Sequence, residues 1–149
     1  MNDTKFDKDL EFLKDGPWDE LSALTSHWKS DLEFYRDDLR FLHHLTDKYF
    51  MWITKQENLD MVKELKQGLF ELGTMCTDLL AKVNKHLVQL GRLVENPNEA
   101  DAGIIKTEHE HLEGEMSQFV KAFRDNRKEV FAITEYVVDS EQLASIMGN

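Results

Sequence analysis

Three long runs of apolar residues, spaced alternately three and four positions apart, constrain the fold of this chain more than any other feature. This spacing is typical of α-helices that pack side by side as in coiled coils. It predicts long helices over residues 20–53, 57–95 and 99–138. Each helix then carries one apolar stripe, here called its seam. A seam exposed to water is unfavourable, so we expect the three helices to cover one another.

Short breaks separate these runs. Pro17 ends a short amphipathic segment over residues 1–17, because proline cannot continue a helix. Pro97 separates the second long helix from the third for the same reason. Asp139, followed three residues later by Gln142, resembles a capping box and predicts a short last helix over residues 140–147.

Short connections between long helices favour antiparallel neighbours. The predicted fold is therefore all-α: an elongated antiparallel three-helix bundle with coiled-coil-like packing and short terminal helices. A four-helix arrangement formed through dimerisation is the alternative. The length of 149 residues suits one domain, and we expect a single domain over residues 1–149.

Charge and composition narrow the classes of partner. Acidic residues outnumber Lys and Arg by 29 to 18, which gives a formal charge of −11. Phosphate backbones and anionic lipid head groups would be repelled, so neither nucleic acid nor membrane is an expected partner. The N-terminus lacks an apolar signal region, and the only cysteine, Cys76, excludes an intrachain disulfide. These features favour a cytoplasmic protein.

Polar residues interrupt the seams at a few positions, and these are the first candidates for a functional site. The interrupting residues are Thr25, Thr46, His86, His109 and Asn126. In an antiparallel pair, facing residue numbers sum to a constant, about 111 for the first pair and about 194 for the second. Thr25, His86 and His109 then fall within one layer. A buried polar group needs a hydrogen-bond partner, so such a layer sets the register of the helices.

The stretch TEHEHLEGE, residues 107–115, is the densest cluster of potential metal ligands. On a helix, Glu108, His111 and Glu115 share one strip beside the seam, whereas His109 lies on the seam itself. A divalent metal site, for Zn, Mn or Fe, is the alternative to a structural layer, since imidazole and carboxylate groups suit these ions. The candidate metal ligands are His86, Glu108, His109, His111 and His27.

Evidence for catalysis is weaker. The chain has no glycine-rich phosphate loop and no nucleotide-binding fingerprint. A buried His86 beside Glu108 would suit acid–base chemistry, but no serine, cysteine or lysine stands there as a nucleophile. Cys76 lies on a seam and is expected to be an inert buried thiol. We therefore expect a protein that is not an enzyme and needs no cofactor.

The first helix is rich in aromatic residues, and some lie outside its seam. Phe34 and Phe41 are seven positions apart and, with Leu45, widen the apolar stripe. A wide stripe favours contact with the N-terminal segment, with a second copy in a homodimer, or with an unknown protein partner. The expected function is thus protein–protein contact, with divalent-metal binding as the alternative. Four glycines inside the predicted helices, Gly68, Gly73, Gly91 and Gly114, mark either close helix approach or tolerated surface positions.

Overall fold

The computed structural model describes residues 17–51, 53–98 and 101–141, and no strand occurs among them. The predicted all-α class with three long helices packed together is confirmed. The predicted terminal helices lie mostly or wholly outside the described residues. The three helices are α1 (Pro17–Phe50), α2 (Gln56–Glu95) and α3 (Ala102–Glu141). Within the described part of the chain, no helix is both long enough and apolar enough to cross a bilayer.

Helix α1 starts three residues earlier than expected. Pro17 was expected to act only as a breaker, but it is the first residue of the helix. Proline is well suited to that position, because its missing N–H would have no partner there and its backbone angle is already helical. Asp19 and Glu20 follow in the first turn, where negative charge is favourable to the helix dipole.

The chain divides into two compact units, and each contains one segment of all three helices. The described part of unit 1 comprises residues 17–33, 78–98 and 101–117, and that of unit 2 comprises residues 34–51, 53–77 and 118–141.

The core of unit 1 contains an apolar cluster from all three helices. Trp18, Leu90, Leu93 and Ile105 form this cluster, and Leu21 packs against it. The predicted antiparallel register of α2 and α3 holds in this unit, since His86 contacts His109 within one residue of the expected pairing.

Unit 2 has its own core, in which aromatic residues are prominent. The ring of Tyr35 lies 5.7 Å from that of Phe119 and 4.6 Å from that of Phe123, measured between centroids. A second cluster is centred on Val62 and Val137. Each fully buried apolar side chain of this size contributes about 1.5–3 kcal/mol, so these seams are the main source of stability.

All nine predicted apolar seam residues of α2, from Val62 to Leu93, are buried. Most of those predicted for the first and third helices are buried too, and the half-buried ones are Leu21, Tyr35, Tyr49, Ile53 and Ile133. The seams also extend one step beyond the predicted residues. Trp18 and Asn58 are buried at the two positions where another step of three or four continues the pattern. The prediction missed both residues, although the spacing itself contained the signal.

The end of α3 differs from the prediction. Asp139 was expected to open a separate helix, but α3 continues through Glu141 without a break. The Glu141 carboxylate accepts hydrogen bonds from the backbone N–H of Thr54 at 3.2 Å and of Lys55 at 2.8 Å, and from the Thr54 hydroxyl at 2.7 Å. Asn58 Nδ2 also donates to Glu141 and to Ser140 Oγ. These bonds stabilise the last turn of α3 against the start of α2. The capping pattern in the sequence could not predict them, because they join residues that are far apart along the chain.

One of the described glycines marks a close helix approach. A Cβ atom at Gly68 would lie 2.8 Å from Asn126 Nδ2, whereas at Gly73, Gly91 and Gly114 it would meet nothing within 4 Å. Gly68 therefore makes room for the Asn126 amide between α2 and α3 of unit 2. The other three are helix-interior glycines without a packing role.

We predict opposite responses to alanine at these sites. Gly73→Ala and Gly114→Ala should each raise the free energy of unfolding by about 1 kcal/mol, because alanine loses less conformational entropy in a helix. Gly68→Ala should gain clearly less, or lose stability, because the Asn126 amide must move. Denaturant unfolding measures the three values, and adding Asn126→Ala should remove the penalty at Gly68. An equal gain at Gly68 and Gly73 would contradict the close approach.

A second prediction concerns Glu141. The Thr54 hydroxyl bond, and next the Lys55 N–H bond, lower the pKa of this carboxyl from 4.5 to about 2. A lowered folded-state pKa means that the contribution is present above about pH 4.5 and is lost as the pH falls towards 2. Glu141→Gln should therefore lower the melting temperature at pH 7, and lower it much less at pH 2. Glu135→Gln, at an exposed position on the same helix, is the control and should change neither value.

Candidate functional site

Two histidines contact each other inside unit 1. Positions 86 on α2 and 109 on α3 are both seam positions, so helix packing brings the two imidazoles into contact through their ring nitrogens. His86 Nε2 lies 2.9 Å from His109 Nδ1, a hydrogen-bond distance. The side chains are 0% and 4% exposed, respectively. Trp28 stacks on the His109 ring with centroids 4.8 Å apart and planes inclined by 20°. The pair is thus enclosed by aromatic and aliphatic side chains.

The hydrogen bond between the rings requires one donor and one acceptor nitrogen, so at most one of the two imidazoles can carry a charge. The outer nitrogens, His86 Nδ1 and His109 Nε2, are buried, and neither has a partner within hydrogen-bond geometry; the same is true of Gln89 Oε1. If His109 Nδ1 donates to His86 Nε2, then the N–H proton of His86 lies on Nδ1. We assign this tautomer, because the Gln89 side chain interacts with His86 and its buried Oε1 is an acceptor without another partner, whereas an N–H on His109 Nε2 would have no partner.

Burial sets the protonation of this pair. Desolvation, and next the charge of the neighbouring His109, lower the pKa of His86 from 6.5 to about 4, while a hydrogen bond with the Gln89 side chain opposes the shift. Desolvation also lowers the pKa of His109, although the charges of Glu113 and Glu110 oppose it. Both imidazoles are consequently uncharged at neutral pH, as a closed hydrophobic environment requires.

Thr25 and Thr46 are buried as predicted, but they satisfy their hydroxyls locally. Thr25 Oγ1 donates to the carbonyl of Leu21 at 2.6 Å, and Thr46 Oγ1 donates to that of Leu42 at 2.7 Å. Each bond closes within one helix turn, a usual solution for threonine in a helix interior. Thr25 lies in the same unit as the histidine pair. Its hydroxyl donates to a carbonyl of its own helix and not to either histidine.

The remaining predicted metal ligands lie at other places in unit 1. His27 is exposed on α1. His111 Nε2 lies 3.0 Å from Glu115 Oε1, and Lys82 Nζ lies 3.1 Å from Glu115 Oε2. This pair of contacts confirms that His111 and Glu115 share one strip of α3. Glu108 and His111 line a shallow surface groove together with Gly103, Ile104 and Thr107.

The structure thus brings together His86 and His109, while the carboxylates of the 107–115 segment lie on other faces. Among residues 17–51, 53–98 and 101–141, no group of three His, Cys, Asp or Glu side chains has the arrangement of a metal site. The divalent-metal hypothesis stays a prediction. Cys76 is buried, and burial raises the pKa of its thiol, although the charge of Arg36 lowers it. A protonated, enclosed thiol is a poor nucleophile.

Unit 2 presents a second candidate site on its exterior. Phe34 and Phe41 of α1 are 65% and 50% exposed. Asp38 lies between them on the same helix face, and its Oδ2 accepts a hydrogen bond from Arg127 Nε of α3 at 3.1 Å. The Arg127 guanidinium in turn lies 4.9 Å from the ring centroid of Phe131, which is 40% exposed. We name these five residues the α1–α3 surface.

The sequence indicated half of this surface. The off-seam positions of Phe34 and Phe41 predicted a wide apolar stripe on α1, and their exposure agrees with it. Phe131 and Arg127 were missed, because nothing in the spacing of α3 shows that they lie beside α1. The signal available was that Phe131 falls one position from the buried seam residue Val130 and therefore points to another face.

Comparisons with known proteins add no relationship: no family model, no curated protein and no solved structure matches this chain.

The histidine pair generates a pH prediction. Because the folded-state pKa values lie below that of a free histidine, the unfolded chain binds more protons between about pH 4 and 6.5, and stability falls as the pH falls through that window. For His86 alone, the free energy of unfolding should be about 2 kcal/mol lower at pH 5 than at pH 7.

Denaturant unfolding between pH 4.5 and 7.5 measures this dependence. His86→Leu should reduce it and should lower the stability at pH 7, because His109 then keeps a buried ring nitrogen without its hydrogen-bond partner. His27→Gln, at an exposed position of the same unit, is the matched control. A pH dependence equal in wild type and His86→Leu would contradict the assignment.

Proposed function

We propose that this protein is a non-enzymatic, cytoplasmic helical bundle that acts by binding another protein through the α1–α3 surface. The observation that carries the proposal is the exposure of three phenylalanines around one ion pair. Phe34 is 65% exposed and Phe41 is 50% exposed, and Phe131 extends the same surface onto a second helix. Aromatic side chains dominate the energetics of protein interfaces, and Arg is enriched there with them.

The contacts around Arg127 support a surface that is already ordered. One guanidinium group bonds to Asp38 and also covers the face of Phe131. Both neighbours restrict the Arg127 side chain, so less conformational entropy is lost when a partner binds. Tyr35, beside Phe34 at a centroid distance of 6.0 Å, anchors this part of α1 to the core rings of α3.

The histidine pair supports a structural role and hence the non-enzymatic character of the bundle. A general acid or base must reach the proton that it transfers. His86 and His109 are closed off from solvent and bonded to each other. Their arrangement suits a layer that favours one register of α2 against α3, because a shifted register would leave two buried imidazoles unpaired.

A partner helix on the α1–α3 surface would lie beside α1 and α3 and would form a fourth helix of unit 2. This arrangement differs from the four-helix alternative predicted from the sequence, in which dimerisation would supply the fourth helix. The net charge of −11 supports a protein partner over nucleic acid, since phosphate backbones would be repelled by most of the chain.

Site-specific photocrosslinking in cells tests the proposal. The photoreactive residue p-benzoylphenylalanine is placed at position 41 or, as a control, at position 70. Phe70 is 65% exposed on α2 of the same unit and lies outside the α1–α3 surface. We expect a discrete crosslinked product from position 41 only, lost when Phe34→Ser is added. Equal products from both positions, or none from position 41, would refute the proposal, with circular dichroism confirming that each variant is folded.

A further inference from the structure

We propose that the α1–α3 surface binds a single amphipathic helix whose flank is acidic. This inference rests on the proposed function and specifies its partner. It follows from the charge beside the three phenylalanines and from the size of the apolar surface.

The α3 edge of the surface is basic in a chain that is strongly acidic elsewhere. Residues 121–128, KAFRDNRK, contain four basic residues and one acidic residue, Asp125. Lys121, Arg124 and Lys128 are exposed, and their spacing of three and four places them on one face of α3.

This basic face adjoins Phe131, which is three positions from Lys128 and seven from Arg124. The acidic group in the middle of the surface, Asp38, is already paired with Arg127 at 3.1 Å. Glu135, exposed four positions beyond Phe131, offsets only one of the three positive charges of the basic face, so the edge presents net positive charge to an occupant. Complementary charge at the rim of an interface selects the partner and raises the rate of encounter, so the occupant should be acidic on that side.

The apolar part of the surface fits two turns of a helix. Phe34 and Phe41 are seven residues apart, about 10.5 Å along α1. A helix lying between α1 and α3 contacts such positions with its own residues at i, i+3 or i+4 and i+7, the usual pattern for a helix bound in a groove.

The area distinguishes one helix from a second copy of this chain. Exposed fractions of 65%, 50% and 40% correspond to roughly 300 Å² of phenylalanine surface, taking about 200 Å² for each ring. A stable dimer buries about 800 Å² from each partner, of which roughly 450 Å² is apolar. The surface is large enough for the apolar face of one short helix and small for a dimer, so we assign the single helix as its occupant.

Two synthetic peptides test the inference. Both are helical, fluorescently labelled and carry leucines at i, i+3, i+4 and i+7; one has glutamates along its flank and the other lysines at the same positions. Fluorescence anisotropy at low salt should show the glutamate peptide binding at least about tenfold more tightly, the effect of a few exposed ion pairs. The preference should shrink as salt is added.

Variants locate the binding. Phe34→Ser with Phe41→Ser should abolish binding of the glutamate peptide, and Phe70→Ser, the matched control, should preserve it. Arg124→Glu with Lys128→Glu should reverse the preference between the peptides. Equal affinity for both peptides, or loss of binding in the Phe70→Ser control as well, would overturn the inference.

Other occupants give distinct outcomes. A dimer in light scattering that Phe41→Ser dissociates, or tighter binding to vesicles rich in phosphatidylserine than to the glutamate peptide, would each overturn the acidic-helix assignment. If position 41 crosslinks to a protein in cells and the glutamate peptide fails to bind, the partner class is wrong and the proposed function stands. If the crosslink and the peptide both fail, the proposed function fails with it.

Discussion

Burial of the three apolar seams against one another is the interaction on which the other features of this protein depend. The seam residues supply nearly all the buried apolar side chains, and amphipathic helices owe most of their stability to the packing of that face against neighbours. The position of each seam determines which face of a helix is enclosed. It thereby also determines which side chains are enclosed with it and which remain at the surface.

The histidine pair is a consequence of that enclosure. Two imidazoles on seam positions cannot reach water, so each becomes the other's hydrogen-bond partner and both are kept neutral by desolvation. Trp28 stacks on His109 and helps to exclude water from the pair. An arrangement of this kind contributes little net stability, but it penalises every register in which the rings fail to meet. Asn126 also favours one register of α2 against α3, because its amide fits only where the facing residue is glycine, here Gly68.

The α1–α3 surface stays exposed for the opposite reason: its apolar residues lie outside the seams. Phe34, Phe41 and Phe131 gain nothing from the packing of the three helices and remain exposed. The Asp38–Arg127 ion pair joins the two helices beneath them and holds Arg127 over Phe131. An ordered aromatic surface with a basic edge, on a chain of formal charge −11, is a feature that the stability of the fold does not require.

The sequence alone determined the helical class, the three long helices and almost the whole core, because burial on a helix leaves a periodic pattern that can be read without coordinates. It also placed His86 and His109 in one layer, since short connections fix which residues face each other. Tertiary structure decided what depends on contacts between distant residues. Such contacts include the hydrogen bonds to Glu141 that hold the end of α3 and the approach of Asn126 to Gly68. They also include the position of Phe131 beside α1, which no spacing within α3 reveals. Periodicity reports whether a residue is buried; the partner it meets depends on how the helices are rotated against one another, and that rotation is set only when all three pack together.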